Sequence, residues 1–156
     1  MPQNFGKRFE QKVREDFKKI GGSFVYRLPD NMAGFKGISG VSDFICYVEP
    51  NIFLLEVKSC SGNTFPLGNL TQLEKLLEYK NIPGLRKGVV IWYTERDRVI
   101  YVPAITFEKM KLDGKKSINI RTIQDDGYDF IEIPSVKKRV FLDSDYSVLC
   151  NLPDEW

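Results

Sequence analysis

Histidine is absent from the 156-residue chain. That absence removes Ser-His-Asp arrangements, histidine-ligated zinc and any imidazole general base. Hydrolytic chemistry in this chain has to rest on carboxylates, lysine or hydroxyls. Cysteine is scarce: only Cys46, Cys60 and Cys150 occur, an odd number with no CxxC spacing. This argues against a disulfide scaffold or a zinc–thiolate site and fits a reducing compartment. No apolar run approaches a membrane span, and "MPQNFGKRFEQK" is too polar for a signal peptide. Charge of one sign is not in excess either. The 23 Lys and Arg against 21 Asp and Glu leave +2, too little to announce a nucleic-acid partner by bulk charge. Internal repeats, low-complexity tracts and an interdomain linker are also missing, so residues 1–156 are expected to form a single domain.

What is present is a globular composition, 42% hydrophobic and 28% charged. Phe5, Phe9, Val13, Phe17 and Ile20 recur at three-to-four spacing. They predict a helix from Asn4 to Ile20, capped by Asn4 and stopped by Gly21-Gly22. "SFVYRL" reads as a short strand, and the glycine-rich "PDNMAGFKGISG" as a loop. Strands follow in "SDFICYV" and "IFLLEVKS", then a loop in "SCSGNTFPLGN". "TQLEKLLEYK" reads as a helix, with Thr71 and Glu74 spaced as a capping box. "GVVIWYT" and "RVIYVP" read as strands, "AITFEKMK" as a short helix, and "YDFIEIP" and "RVFLD" as weaker strands. The order α-β-β-β-α-β-β predicts an α/β fold, one mixed central sheet flanked by helices.

The stretch "SDFICYVEPNIFLLEVKS" concentrates the chemistry. With Pro50 and Asn51 as the central turn residues, Val48 faces Phe53, Cys46 faces Leu55 and Phe44 faces Val57. That face is apolar throughout and belongs to the core. The other face pairs Tyr47 with Leu54, Ile45 with Glu56 and Asp43 with Lys58. Two carboxylates and an ammonium therefore gather at the open end of an otherwise apolar hairpin, where desolvation is costly. One explanation is a surface ion pair of little energetic consequence. The other is a metal site, because Mg²⁺ takes oxygen ligands from one or two carboxylates plus waters and phosphate.

Two more residues bear on the choice. Glu10 borders the buried stripe of the first helix, where it is either an ordinary flanking acid or a further ligand pointing at the sheet. Gln72, in the first turn of its helix, is either a surface residue or a group that orients water or phosphate. Basic residues cluster at Lys7, Arg8, Lys12, Arg14, Lys18 and Lys19, and again at Lys137-Lys138-Arg139. Taken singly, each cluster fits a solvated face. Because Lys7, Arg8 and Lys12 share a helix with Glu10, they are also candidates to flank a scissile phosphate.

Asp43 followed by Glu56-Val57-Lys58 resembles the D…(D/E)xK signature of the PD-(D/E)xK nuclease superfamily. "GKRFE", "SDF", "EVK", "NTFPLGNLTQLEKL" and "KKSINIRTIQDDGY", in that order, resemble the RecU-type Holliday-junction resolvases over roughly Gly6 to Asp143. The resemblance implies a restriction-endonuclease-like core and a homodimeric endonuclease that makes paired nicks in a four-way DNA junction. It implies Mg²⁺ as cofactor, with Mn²⁺ able to substitute. Asp43 and Glu56 would be metal ligands, Lys58 the catalytic lysine, Glu10 a further metal or water ligand, and Gln72 an active-site helper. The segment before Asp43 is shorter than the stalk of those enzymes and holds one basic residue, Lys36. Met32 and Phe35 in it are candidates to stack on exposed bases. The strands "FVYRL", "WYT" and "VIYV" offer apolar material for a dimer interface, or for the core. Such an enzyme is expected in the cytoplasm or on the nucleoid, or in the host cytoplasm if viral. The alternatives are a restriction-like or repair nuclease acting on duplex or flap DNA, and a DNA-binding factor without catalysis.

Overall fold

The structure, a computed structural model, describes residues 5–29 and 40–156. Asn4, Met32, Phe35 and Lys36 lie outside that range. Helix α1 (Phe5–Lys18) is followed by β1 (Phe24–Arg27), β2 (Phe44–Val48), β3 (Asn51–Cys60) and β4 (Thr64–Pro66). A short α2 (Leu73–Leu77) leads to β5 (Leu85–Tyr93), β6 (Arg98–Pro103) and α3 (Ala104–Leu112). The chain ends with β7 (Ser117–Asn119), β8 (Ile131–Ile133), β9 (Ser135–Lys137), β10 (Leu142–Ser144) and a 3₁₀ turn at Tyr146–Cys150. Among the described residues, no helix is long and apolar enough to cross a membrane.

The main sheet has six strands in the order β1-β2-β3-β5-β6-β8. Only β3 and β5 pair in parallel; the other neighbours are antiparallel. The sheet is mixed and flanked by helices, as expected. Each face carries its own apolar layer. Phe9, Val13 and Phe17 of α1 pack with Tyr146 and Leu149 on Phe44, Cys46, Phe53, Leu55 and Val57. On the opposite face Leu73, Leu76, Phe107 and Met110 pack on Leu54, Val89, Ile91 and Ile100. Coverage on both sides explains why β5 is buried along nearly its whole length and why Val89–Tyr93 is an apolar run rather than an alternating one. Gly88 lies so close to the Tyr101 side chain that an added Cβ would meet it at 2.3 Å.

Several expectations are corrected. The hairpin closes through Glu49 and Pro50, so Val48 pairs with Asn51, Cys46 with Phe53 and Phe44 with Leu55. Asn51 belongs to the ladder because its buried side-chain oxygen accepts a hydrogen bond from Arg86 (3.0 Å). The shift is two residues, so every side chain keeps its expected face. Helix α2 starts at Leu73, and Thr71 donates to the side-chain oxygen of Gln72 (2.8 Å) instead of closing a capping box. Part of the expected loop before it is β4, paired with β7. The "WYT" and "VIYV" strands are internal, with Trp92, Tyr93 and Tyr101 fully buried. Of the three proposed interface strands only β1 is exposed, through Phe24 and Tyr26.

Candidate active site

The β2–β3 ladder runs out at Phe44 and Leu55. One step further along the same register, Asp43 stands opposite Glu56. Its main-chain oxygen accepts the Leu28 N–H (2.8 Å), which ties this corner to the end of β1. Its carboxylate Oδ2 accepts the Val57 N–H (2.8 Å). The side chain thus completes the ladder where the backbone of β2 has turned away, and this fixes it beside Glu56.

Glu56 sits inside β3, between the partners β2 and β5, and is 1% exposed. Its Oε1 lies 3.3 Å from Lys58 Nζ. Its other oxygen, Oε2, is buried and has no hydrogen-bond partner. An orphaned buried carboxylate oxygen is expensive. The electrostatics record that cost. Burial first, and the Asp43 charge second, push Glu56 up to about 7, while Lys58 opposes the rise. Burial also raises Asp43, held back by the Val57 N–H, by Lys58 and by Arg27. Each buried carboxyl therefore opposes ionisation of the other, and the two compete for the charged state. A divalent cation would remove that competition and give Oε2 a partner, so the donor set fits a hard, oxygen-preferring ion.

Glu10 stands one layer away. Arg27 binds its Oε2 through Nε (3.0 Å) and a terminal nitrogen (2.9 Å). Arg27 also hydrogen-bonds the Leu28 carbonyl and lies near enough to Asp43 to favour its charge. Lys7, Glu10, Gln11, Arg27 and Phe44 line an open cleft of about 130 Å³ there. Among the described residues, no three Asp, Glu, Cys or His side chains gather in one place to hold a metal. The structure therefore brings together Asp43, Glu56 and Lys58, and joins Glu10 to them through Arg27. Gln72 lies at the start of α2, on the side of the sheet that Glu56 and Lys58 face, engaged by Thr71. Lys12 is held by Asp16 (2.8 Å) and Asp143 (2.5 Å), so its ammonium is already spoken for. Lys7 and Arg8 are exposed on α1.

Arg27 is the residue that sequence reasoning missed. Val25 and Arg27 share a face of β1 with the core residues opposite them, Cys46 and Phe44. The alternation in "FVYR" hinted that Arg27 turns inward. What it turns toward is a helix residue 17 positions earlier, a contact that strand patterning does not carry.

A family model, that of recombination protein U (RecU), matches residues 31–142. Among solved structures, Archaeoglobus fulgidus Hjc, a Holliday junction resolvase from an archaeal hyperthermophile, is similar in fold with a TM-score of 0.55. It shares 18% sequence identity, and the match covers 76% of this chain and 92% of that one. No curated protein sequence matches.

Proposed function

The chain belongs to the recombination protein U (RecU) family, and on that membership we propose that it is a structure-selective DNA endonuclease that resolves four-way junctions by metal-dependent phosphodiester hydrolysis. The observation that supports the chemistry is the buried, unpartnered Oε2 of Glu56, set between Asp43 and Lys58. Asp43 and Glu56 would hold the ion, with Mg²⁺ as the expected species and Mn²⁺ as a substitute. When bound, such an ion acidifies a water and neutralises charge on the scissile phosphate.

The protein's own contribution is placement. The Val57 N–H holds the Asp43 carboxylate in one orientation, and burial between two strands does the same for Glu56. Lys58, half-buried beside Glu56, presents an ammonium where negative charge grows on the phosphate. Arg27 fixes Glu10 at the edge of the site, where Glu10 orients a water or completes the ligand set. Gln72 lines the approach from the α2 side. Lys7 and Arg8 contact the flanking phosphates, which gives affinity and salt dependence without sequence readout.

Two paired nicks require two sites, and a two-fold dimer supplies them in the symmetry a four-way junction offers. The outward face of β1–β3 suits the contact. Phe24 and Tyr26 are each 54% exposed, Tyr47 is 37% and Ile52 is 45%. This patch shares a sheet face with Glu56 and Lys58, so a second copy seated on it would bring two sites near one junction. The experiment is a nicking assay on a synthetic four-way junction beside a linear duplex, with light scattering on the same sample. A dimer that cuts the junction in Mg²⁺ and spares the duplex is expected. Equal cutting of both substrates would select the restriction-like or repair nuclease instead.

A further inference from the structure

The two basic clusters of the sequence, which lie at opposite ends of the chain, meet in the fold. Phe141, just after the turn between β9 and β10, inserts its ring among α1 and the core. It stacks on Phe5 (5.4 Å between centroids) and tilts against Trp92 (5.4 Å). The Arg8 guanidinium lies over the same ring at 5.1 Å. Lys138, Arg139 and Val140 form the exposed turn between the strands. This turn is therefore clamped against the N-terminal half of α1.

The charges differ in how free they are. Lys137 is paired with Asp97 at 2.8 Å. Lys138 lies 3.8 Å from Asp143, whose other oxygen is already taken by Lys12. Arg139 makes no ion pair among the described residues. Along α1 the surface continues from Arg8 to Lys7, which lines the same cleft as Glu10 and Arg27. Arg27 in turn lies beside Asp43. Arg8 and Lys7 therefore lie on the α1 surface between the β9–β10 turn and the cleft where Arg27, bound to Glu10, reaches toward Asp43.

We propose that this turn is a second phosphate-contacting surface, in which Lys138 and Arg139, extended by Arg8, grip the backbone of a duplex DNA arm leaving the active site. The proposal deepens the nuclease reading and rests on it. Three exposed cations held on a rigid aromatic anchor suit a phosphate track, because their backbone is fixed before binding. Arg139 and Arg8 add planar forks that match phosphate geometry. Such contacts add affinity for any duplex and no preference for the branch.

The test is equilibrium binding to a four-way junction and to a linear duplex across a salt series, in EDTA so that the strands stay intact. The proteins are the wild type, Lys138→Ala/Arg139→Ala and Lys115→Ala/Lys116→Ala, the last removing two exposed lysines at the α3–β7 turn. Each lost phosphate contact lowers the slope of log affinity against log salt by about 0.9. The turn variant is expected to lose roughly two such contacts on both substrates, and the α3–β7 variant none. An unchanged slope in the turn variant overturns the proposal. So does an equal loss in the two variants, which would reflect net charge alone. Thermal unfolding of all three proteins identifies a misfolded variant, and Arg139→Ala alone then carries the test, with a slope lower by about one. Wild-type nicking is scored separately in Mg²⁺. A protein that binds but never nicks sinks the nuclease reading alone, and a protein that nicks with an unchanged turn-variant slope sinks this one alone.

Discussion

Replacing Glu56 by glutamine is expected to stabilise the metal-free fold at neutral pH while ending cleavage. Glu56 is 1% exposed, so solvent screening does little to soften its environment. Its carboxyl is pushed from 4.5 to about 7, by burial and then by Asp43. At roughly 1.36 kcal/mol per pH unit, that difference corresponds to about 3 kcal/mol of folding free energy. The direction follows from which state holds the proton. Below 4.5 both the folded and the unfolded chain are protonated, and Glu56 makes no difference. Between 4.5 and about 7 the unfolded chain ionises first, so the wild type loses stability as pH rises. Above about 7 the loss is complete. A glutamine cannot ionise, keeps the shape and can donate its amide toward Asp43. In EDTA at about pH 8 the variant should therefore be more stable by up to ~3 kcal/mol. For a chain of this size that is roughly 6–12 °C in melting temperature. The two proteins should converge near pH 4.5. Thermal unfolding followed by circular dichroism over that range reads the difference directly. Millimolar Mg²⁺ should then stabilise the wild type and not the variant, because only the wild type binds the ion in its folded state. A variant that is no more stable than wild type at pH 8, or a gap that does not change with pH, would show that ionised Glu56 does not destabilise the metal-free fold.

Lys58→Ala is expected to slow the chemical step by ~10²–10³ with little effect on DNA affinity, the usual size of one transition-state contact. Single-turnover rates set against binding isotherms check it, and equal losses in both would mark Lys58 as an ordinary phosphate contact. Arg27→Ala frees Glu10 and removes a charge that favours ionised Asp43. It should lower the single-turnover rate and raise the Mg²⁺ concentration needed for half-maximal rate, and Arg27→Lys should restore part of both. An unchanged Mg²⁺ dependence would separate Arg27 from the metal site.

The hairpin was legible because period-two alternation survives a two-residue slip. Asp43, Glu56 and Lys58 kept one face although the turn closes at Glu49-Pro50 rather than at Pro50-Asn51. The slip itself was not legible. It depends on Asn51 satisfying Arg86, a residue 35 positions later that also binds the carbonyls of Leu152, Pro153 and Trp156. Helix α1 read correctly because its stripe is long and strongly periodic. Helix α2 was shorter than its pattern, and its cap failed because the helix starts at Leu73, which puts Gln72 rather than Thr71 at the capping position. The three-residue strands β4 and β7 are held by pairing with each other from far apart in the chain, and β9 is held only by its short hairpin with β10, so the composition of each carries little signal. Glu10 could be placed on the flank of its helix, but its Arg27 partner comes from the sheet's edge and needed the fold.

In the proposed nuclease, Asp43 and Glu56 form the metal-holding pair. Single-turnover cleavage of a four-way junction in Mg²⁺ by the wild type, Asp43→Asn and Glu56→Gln tests it most directly. Binding is measured beside it in EDTA. The wild type should nick two opposing strands, and both variants should bind the junction with wild-type affinity and cut neither strand. Either variant cutting at near wild-type rate would contradict the claim, since each lacks one of the two carboxylates on which the site is built.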